Sequence, residues 1–140
     1  MEDKLQVVYH DKEIPQLQYR SGFIYLYSSK ILKINGAPVM RSRFSYDKCD
    51  IRRGESVLFD LGISITLPEK YEAWIFSLPV SDLGLVLRND IEIINADTFK
   101  DESSWKLELV CVQSIVRIPS RIPIARMKLL PVYELEIQHI

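Results

Sequence analysis

The carboxylates Asp97, Asp101 and Glu102 are the best acid/base group in the sequence, because they sit on a segment between two apolar runs, where functional side chains tend to be mounted. The same three residues would also make an ordinary polar hairpin tip. Covalent catalysis finds no support: there is no G-x-S-x-G elbow, and Cys49 and Cys111 lack a histidine partner by any recognisable spacing. His10 and His139 lie near the two ends, and neither is assigned a role. The two cysteines form no C-x-x-C pair, so the recognisable zinc patterns are excluded and no metal site is expected; Cys111, inside an apolar strand, reads as core. Without a Walker loop or a G-x-G-x-x-G, phosphate would have to be held by side chains and turn amides. Arg41, Arg43, Lys48, Arg52 and Arg53 form a basic cluster that reads either as solvated surface or as an anion-binding patch.

The elements that must position these groups are strands. Apolar residues recur at every second position in Leu5, Val7, Tyr9; in Ile63, Ile65, Leu67; in Leu107, Leu109, Cys111; and in Leu135, Ile137. Turn signals separate the runs: Asn35-Gly36, Arg53-Gly54, Pro68-Glu69-Lys70, Asn89-Asp90, Asn95-Ala96-Asp97, Pro119 and Pro123. About ten short strands follow, with at most one helical turn, near Leu83 to Arg88, and the class is all-β. Asn35 to Asp50 is expected to be a long surface loop or an irregular hairpin. No repeat, low-complexity block or linker interrupts the chain, so residues 1–140 are read as one domain.

Composition narrows the partners. With 140 residues, 47% of them hydrophobic, the chain can bury a core without metal or disulfide staples. Lys+Arg number 18 against 19 Asp+Glu, so no global basic field exists to hold duplex nucleic acid by counterion release. No apolar run approaches a membrane span, and Met1-Glu2-Asp3-Lys4 is too polar to open a signal peptide. A cytoplasmic location is expected, or host cytoplasm or nucleus if the source is viral.

Several segments, in order, resemble the trimeric dUTPase family. Ile51-Arg52-Arg53-Gly54-Glu55, continuing through Leu61-Gly62-Ile63-Ser64-Ile65-Thr66-Leu67-Pro68-Glu69-Lys70-Tyr71-Glu72-Ala73, is similar to the family's I-P-P-G-E segment and the T-G-I-x-I-x-L-P-E-G-Y-E-A that follows it. Ser21 to Ser28 resembles the first motif, A-G-x-D-L-x-S, with one residue more, and Ile124 to Tyr133 resembles the strand of the fourth, I-A-Q-L-x-x-x-P-V. The resemblance implies an antiparallel jelly roll of the β-clip type, assembled as a homotrimer with nucleotide pockets at subunit boundaries.

The family's catalytic positions are altered. Its acid in the first motif falls at Tyr25, and its P-R-S becomes Pro79-Val80-Ser81, losing the arginine fork. Lys100 aligns with the water-activating aspartate and Ser103 with the tyrosine under the sugar, although a one-residue slip restores Asp101 as base. The fourth motif's glutamine becomes Arg126, its G-D-R becomes Arg121-Ile122-Pro123, and no glycine-rich fifth motif follows. These changes imply a dUTPase-fold protein without dUTP hydrolysis that binds or sequesters a nucleotide or nucleotide-like signal through Ser81, Arg88, Asn95, Asp97, Lys100, Trp105, Arg121 and Arg126. Trp105 would supply a stacking face. A phage or viral origin would suit such a repurposed fold. The alternatives are a protein-interaction module on the same scaffold, and a divergent magnesium-dependent diphosphatase converting dUTP to dUMP and pyrophosphate with Asp101 as base. No cofactor is expected beyond that magnesium.

Overall fold

Alternation of side chains between core and solvent builds almost every element. In the computed structural model, which describes residues 4–45, 48–96 and 103–140, the elements run β1 (Gln6–Tyr9), β2 (Tyr19–Arg20), β3 (Phe23–Tyr27), β4 (Lys30–Ile34), β5 (Ala37–Pro38), β6 (Phe44–Ser45), β7 (Lys48–Arg52), β8 (Ser56–Asp60), β9 (Ile63–Thr66) and β10 (Tyr71–Ser77). A single helical turn, α1 (Val80–Leu83), precedes β11 (Leu85–Leu87), β12 (Ile91–Asn95), β13 (Lys106–Cys111), β14 (Ile115–Pro119) and β15 (Pro123–Pro131).

Two five-stranded antiparallel sheets, ordered β12-β10-β15-β3-β2 and β11-β13-β8-β4-β5, carry most of the core. A three-stranded sheet, β14-β7-β6, and the pair β1-β9 complete an all-β jelly roll. Inward residues come from every second position: Ile24 and Leu26 on β3, Ala73 and Ile75 on β10, Val57 and Phe59 on β8, and Leu107, Leu109 and Cys111 on β13 are all buried. The last strand, β15, lies between β10 and β3 and pairs with both. Its register with β3 shifts at a bulge between Pro123 and Ala125.

Two turns show how local chemistry sets the frame. Asn35 and Gly36 have φ of 51° and 78°, the paired left-handed conformation of a type I′ turn, and join β4 to β5. Gly62 has φ 68°, and a Cβ there would lie 2.8 Å from the Cβ atoms of both Asp11 and Ser29, so only glycine fits where the N-terminal segment crosses the β8–β9 corner.

Three expectations are corrected. Fifteen strands occur among the described residues where about ten were expected, because two-residue strands such as β2 and β5 carry no periodic signal. The helical turn ends at Leu83, where Gly84 takes an αL conformation (φ 79°), and Leu85–Leu87 is a strand against β13. Leu135 and Ile137 are not in a strand; residues 132–140 are irregular, with Leu135 85% and Ile137 77% exposed. Of the two forms expected between Asn35 and Asp50, the irregular hairpin agrees with the structure, where the described residues include β5, a 3₁₀ turn at Arg41–Arg43, β6 and the start of β7. No helix among the described residues is long and apolar enough to cross a membrane.

Candidate functional site

The outward face of the sheet β12-β10-β15-β3-β2 carries the most chemically distinctive group of side chains. Since Ala73, Ile75, Ile24, Ala125 and Met127 point into the core, alternation turns Trp74, Phe76, Arg126, Lys128, Phe23 and Tyr25 to the opposite face. Register then sets their order. Arg126 stands directly between Phe76 on β10 and Tyr25 on β3, and Phe76 in turn pairs with Ile91 on β12. The Arg126 guanidinium lies over the Phe23 ring, 4.7 Å from its centroid, and the Lys128 ammonium reaches the same ring at 5.1 Å. Phe23 meets Phe76 edge-on with centroids 6.1 Å apart, and Arg20 sits 5.7 Å from the centre of the Tyr25 ring.

This face is rich in cations and poor in acceptors. The Arg126 Nε is buried and has no hydrogen-bond acceptor among the described residues. None of the ion pairs among the described residues involves Arg20, Arg126 or Lys128. On β10 itself the Trp74 indole donates to Glu72 at 3.1 Å, and just before β12 the Asn89 amide donates to Glu92 at 2.9 Å; neither acid forms an ion pair with Arg20, Arg126 or Lys128 among the described residues.

Ser81 is exposed on α1, five residues past Phe76 in the chain, while Arg126 and Tyr25 share a cross-strand row with Phe76 near the end of β10. Other expected residues lie elsewhere within the chain. Asn95 pairs with Glu72, four residues and therefore about 13 Å along β10 from the Arg126 row. Arg88 is paired with Glu108. Arg121, in a left-handed conformation with φ 59°, is held by Asp11 at 3.0 Å and Glu13 at 3.1 Å, where it clamps the N-terminal segment. The stacking role expected of Trp105 is corrected, because its ring is only 1% exposed and packs in the core, leaving no face for a base. Asp97, Lys100, Asp101 and Glu102 lie outside the described residues.

The basic cluster resolves in part into structural pairs. Glu55, in the Arg53-Gly54-Glu55 turn, accepts from Arg43 Nη1 at 2.8 Å and from the Arg52 amide at 2.6 Å, and pairs with Arg43 Nη2 as well. The Arg43 hydrogen bond holds the Glu55 carboxyl below its ordinary range, against a smaller upward push from burial. Arg117 grips Asp50 across β14 and β7 at 2.7 Å. Sequence reasoning singled out neither Arg20, Phe23, Phe76 nor Lys128, whose grouping depends on cross-strand register.

No protein-family model matches the chain, and no curated protein matches it. Solved structures do. A point mutant of the Staphylococcus bacteriophage 80alpha dUTPase superposes with a TM-score of 0.71 at 12% identity, covering 99% of this chain and 97% of that one. Another mutant of the same phage protein, with dUpNHpp, gives 0.70 at 13% identity with 99% and 97% covered. A mutant dUTPase from phage phi11 of S. aureus, described for its coordination of a structural Mg(II) ion, gives 0.67 at 10% identity with the same coverage. This chain has a dUTPase-like fold.

Within that dUTPase-like fold, the residues at the sheet face do not fit a magnesium ion. Magnesium takes hard oxygen donors, commonly carboxylates. Here the position read as the family's acid holds the Tyr25 phenol, directly opposite the permanent charge of Arg126. Among the described residues, no group of three or more His, Cys, Asp or Glu side chains is placed to hold a metal. The donor set suits an anion instead.

Proposed function

We propose that this dUTPase-fold protein binds or sequesters a nucleotide or nucleotide-like ligand without hydrolysing it, through the phosphate-facing end of the β10-β15-β3 sheet. The observation that carries the reading is the placement of Arg126 opposite Tyr25, a cation and a phenol where the resemblance implies an amide and an acid. Arg126 holds a phosphate group, Ser81 contributes a hydroxyl from the helical turn that follows β10, and Asn95, Asp97 and Lys100 contribute from a neighbouring copy in a homotrimer. Hydrolysis would need a carboxylate-held metal and a positioned base, and the first of these is replaced by chemistry that repels a cation.

Calorimetric titration with dUTP, dUMP and other deoxynucleotides tests the reading. Charge-assisted contacts contribute about 1.5–3 kcal/mol each, so Arg126→Gln is expected to weaken binding by roughly ten-fold or more. Magnesium-dependent release of pyrophosphate that disappears in Asp101→Asn would replace this reading with the divergent diphosphatase.

A second reading, an interaction module on the same scaffold, is favoured by Tyr133, Leu135 and Ile137, which are 80%, 85% and 77% exposed at alternate positions of the irregular C-terminal segment. It takes precedence if no nucleotide produces heat.

A further inference from the structure

We propose that Arg20, Arg126 and Lys128 receive a polyphosphate in its magnesium-free form, so that magnesium opposes binding at this face. The proposal rests on the nucleotide-binding reading and names the ionic state of the ligand.

Three observations converge on it. Arg126 and Lys128 are two residues apart on one face of β15, about 7 Å along the strand, and both are held against the ring of Phe23. Like charges at that spacing repel, and no carboxylate among the described residues pairs with either of them or with Arg20. An arriving anion relieves that repulsion. Second, Arg126 is half-buried and its enclosed Nε–H has no acceptor among the described residues, so nothing among them compensates the guanidinium charge at that atom, and an anion meeting the rest of the fork would do so. Third, Arg20 over Tyr25 extends the positive strip from β15 across β3 to the sheet edge, matching a chain of phosphates better than one isolated anion.

Magnesium changes the ligand in the wrong direction for such a receptor. Chelation cancels two negative charges and occupies oxygens that the guanidinium groups would otherwise contact. It also brings a dication against three cations, where the position that could have welcomed it is Tyr25. Free pyrophosphate and the phosphate tail of a nucleotide share this chemistry and are separated by titrating each.

The test is calorimetric titration of the full chain with pyrophosphate and, separately, with dUTP, each in EDTA and in excess magnesium chloride. Binding of both is expected to be at least about ten-fold tighter in EDTA. Lys128→Gln, at an exposed position, should weaken binding in EDTA several-fold without altering the melting temperature, and Arg126→Gln should weaken it further. Arg117→Gln, on a different sheet, should leave the affinities and the magnesium effect unchanged. Binding that is equal or tighter in magnesium overturns the proposal and leaves the nucleotide reading standing. The same holds if dUTP binds but pyrophosphate does not, or if Lys128→Gln and Arg117→Gln behave alike. Silence from both ligands in both buffers removes the two readings together.

Discussion

Arg126 and Trp105 show how burial and register assign work to single residues. Trp105 is the largest of the fully buried side chains, so its truncation removes core volume and leaves a cavity. Trp105→Ala is expected to destabilise the fold by about 3–5 kcal/mol, measurable by denaturant unfolding with no ligand present. Unchanged stability would show that the indole is not a core residue after all. Trp105 reads as a candidate for stacking because it could supply an aromatic face where the family has its tyrosine; nothing local says which way a residue just before a strand, here Lys106–Cys111, points. Arg126 is the opposite case. Its substitution for the family's glutamine is legible in sequence, whereas its placement between Phe76 and Tyr25 depends on pairings between distant strands and on a bulge that no local pattern announces.

At the scale of elements, the β7–β8 turn is tied together by Glu55, whose carboxylate serves Arg43 and the Arg52 amide at once. The N-terminal segment is tied by Asp11, which accepts from Ser29 at 2.6 Å and pairs with Arg121; the Ser29 hydrogen bond is the main cause of its lowered pKa. Both carboxyls are depressed in the folded state, so their contribution to stability is complete above the unfolded values and is lost as pH falls through the lower folded ones. The melting temperature should therefore drop as pH is lowered from about 5 to about 3, and Glu55→Gln should start lower and fall less steeply. A parallel decline in parent and variant would mean that Glu55 does not titrate with folding. The alternating strands were legible because one face is buried, as in Leu107, Leu109 and Cys111. The same alternation misled at Leu135 and Ile137, since period two marks a chain able to form a strand, and a strand also needs a partner.

For the whole molecule, the homotrimer is an expectation drawn from the family resemblance, and the exposed apolar residues Ile91 and Ile93 on the edge strand β12 are consistent with a covered surface. Light scattering should give three times the 16.3 kDa chain mass at micromolar concentration. A stable monomer would mean that any ligand must be held by one chain alone, from the Arg126 side of the sheet. The global charge balance, with 18 basic against 19 acidic residues, hid this face, because a local strip of three cations barely moves a sum over the whole chain.

The central position of β15 has a consequence for how the molecule comes into being. Its two sheet neighbours, β10 and β3, are both made earlier, yet neither can complete its ladder until the last strand arrives. About 95 residues separate Tyr27 from Pro123, which at roughly 5–20 residues per second is a wait of about 5–20 s during synthesis. Through that interval the β3 edge stays open, joined by that of β10 once Tyr71–Ser77 is made, and the face bearing Phe23, Tyr25 and Phe76 acquires Arg126 and Lys128 only when β15 slots between them. Completion of the sheet and completion of the strip of Arg20, Arg126 and Lys128 are thus the same kinetic event, and a chain interrupted before β15 would have neither.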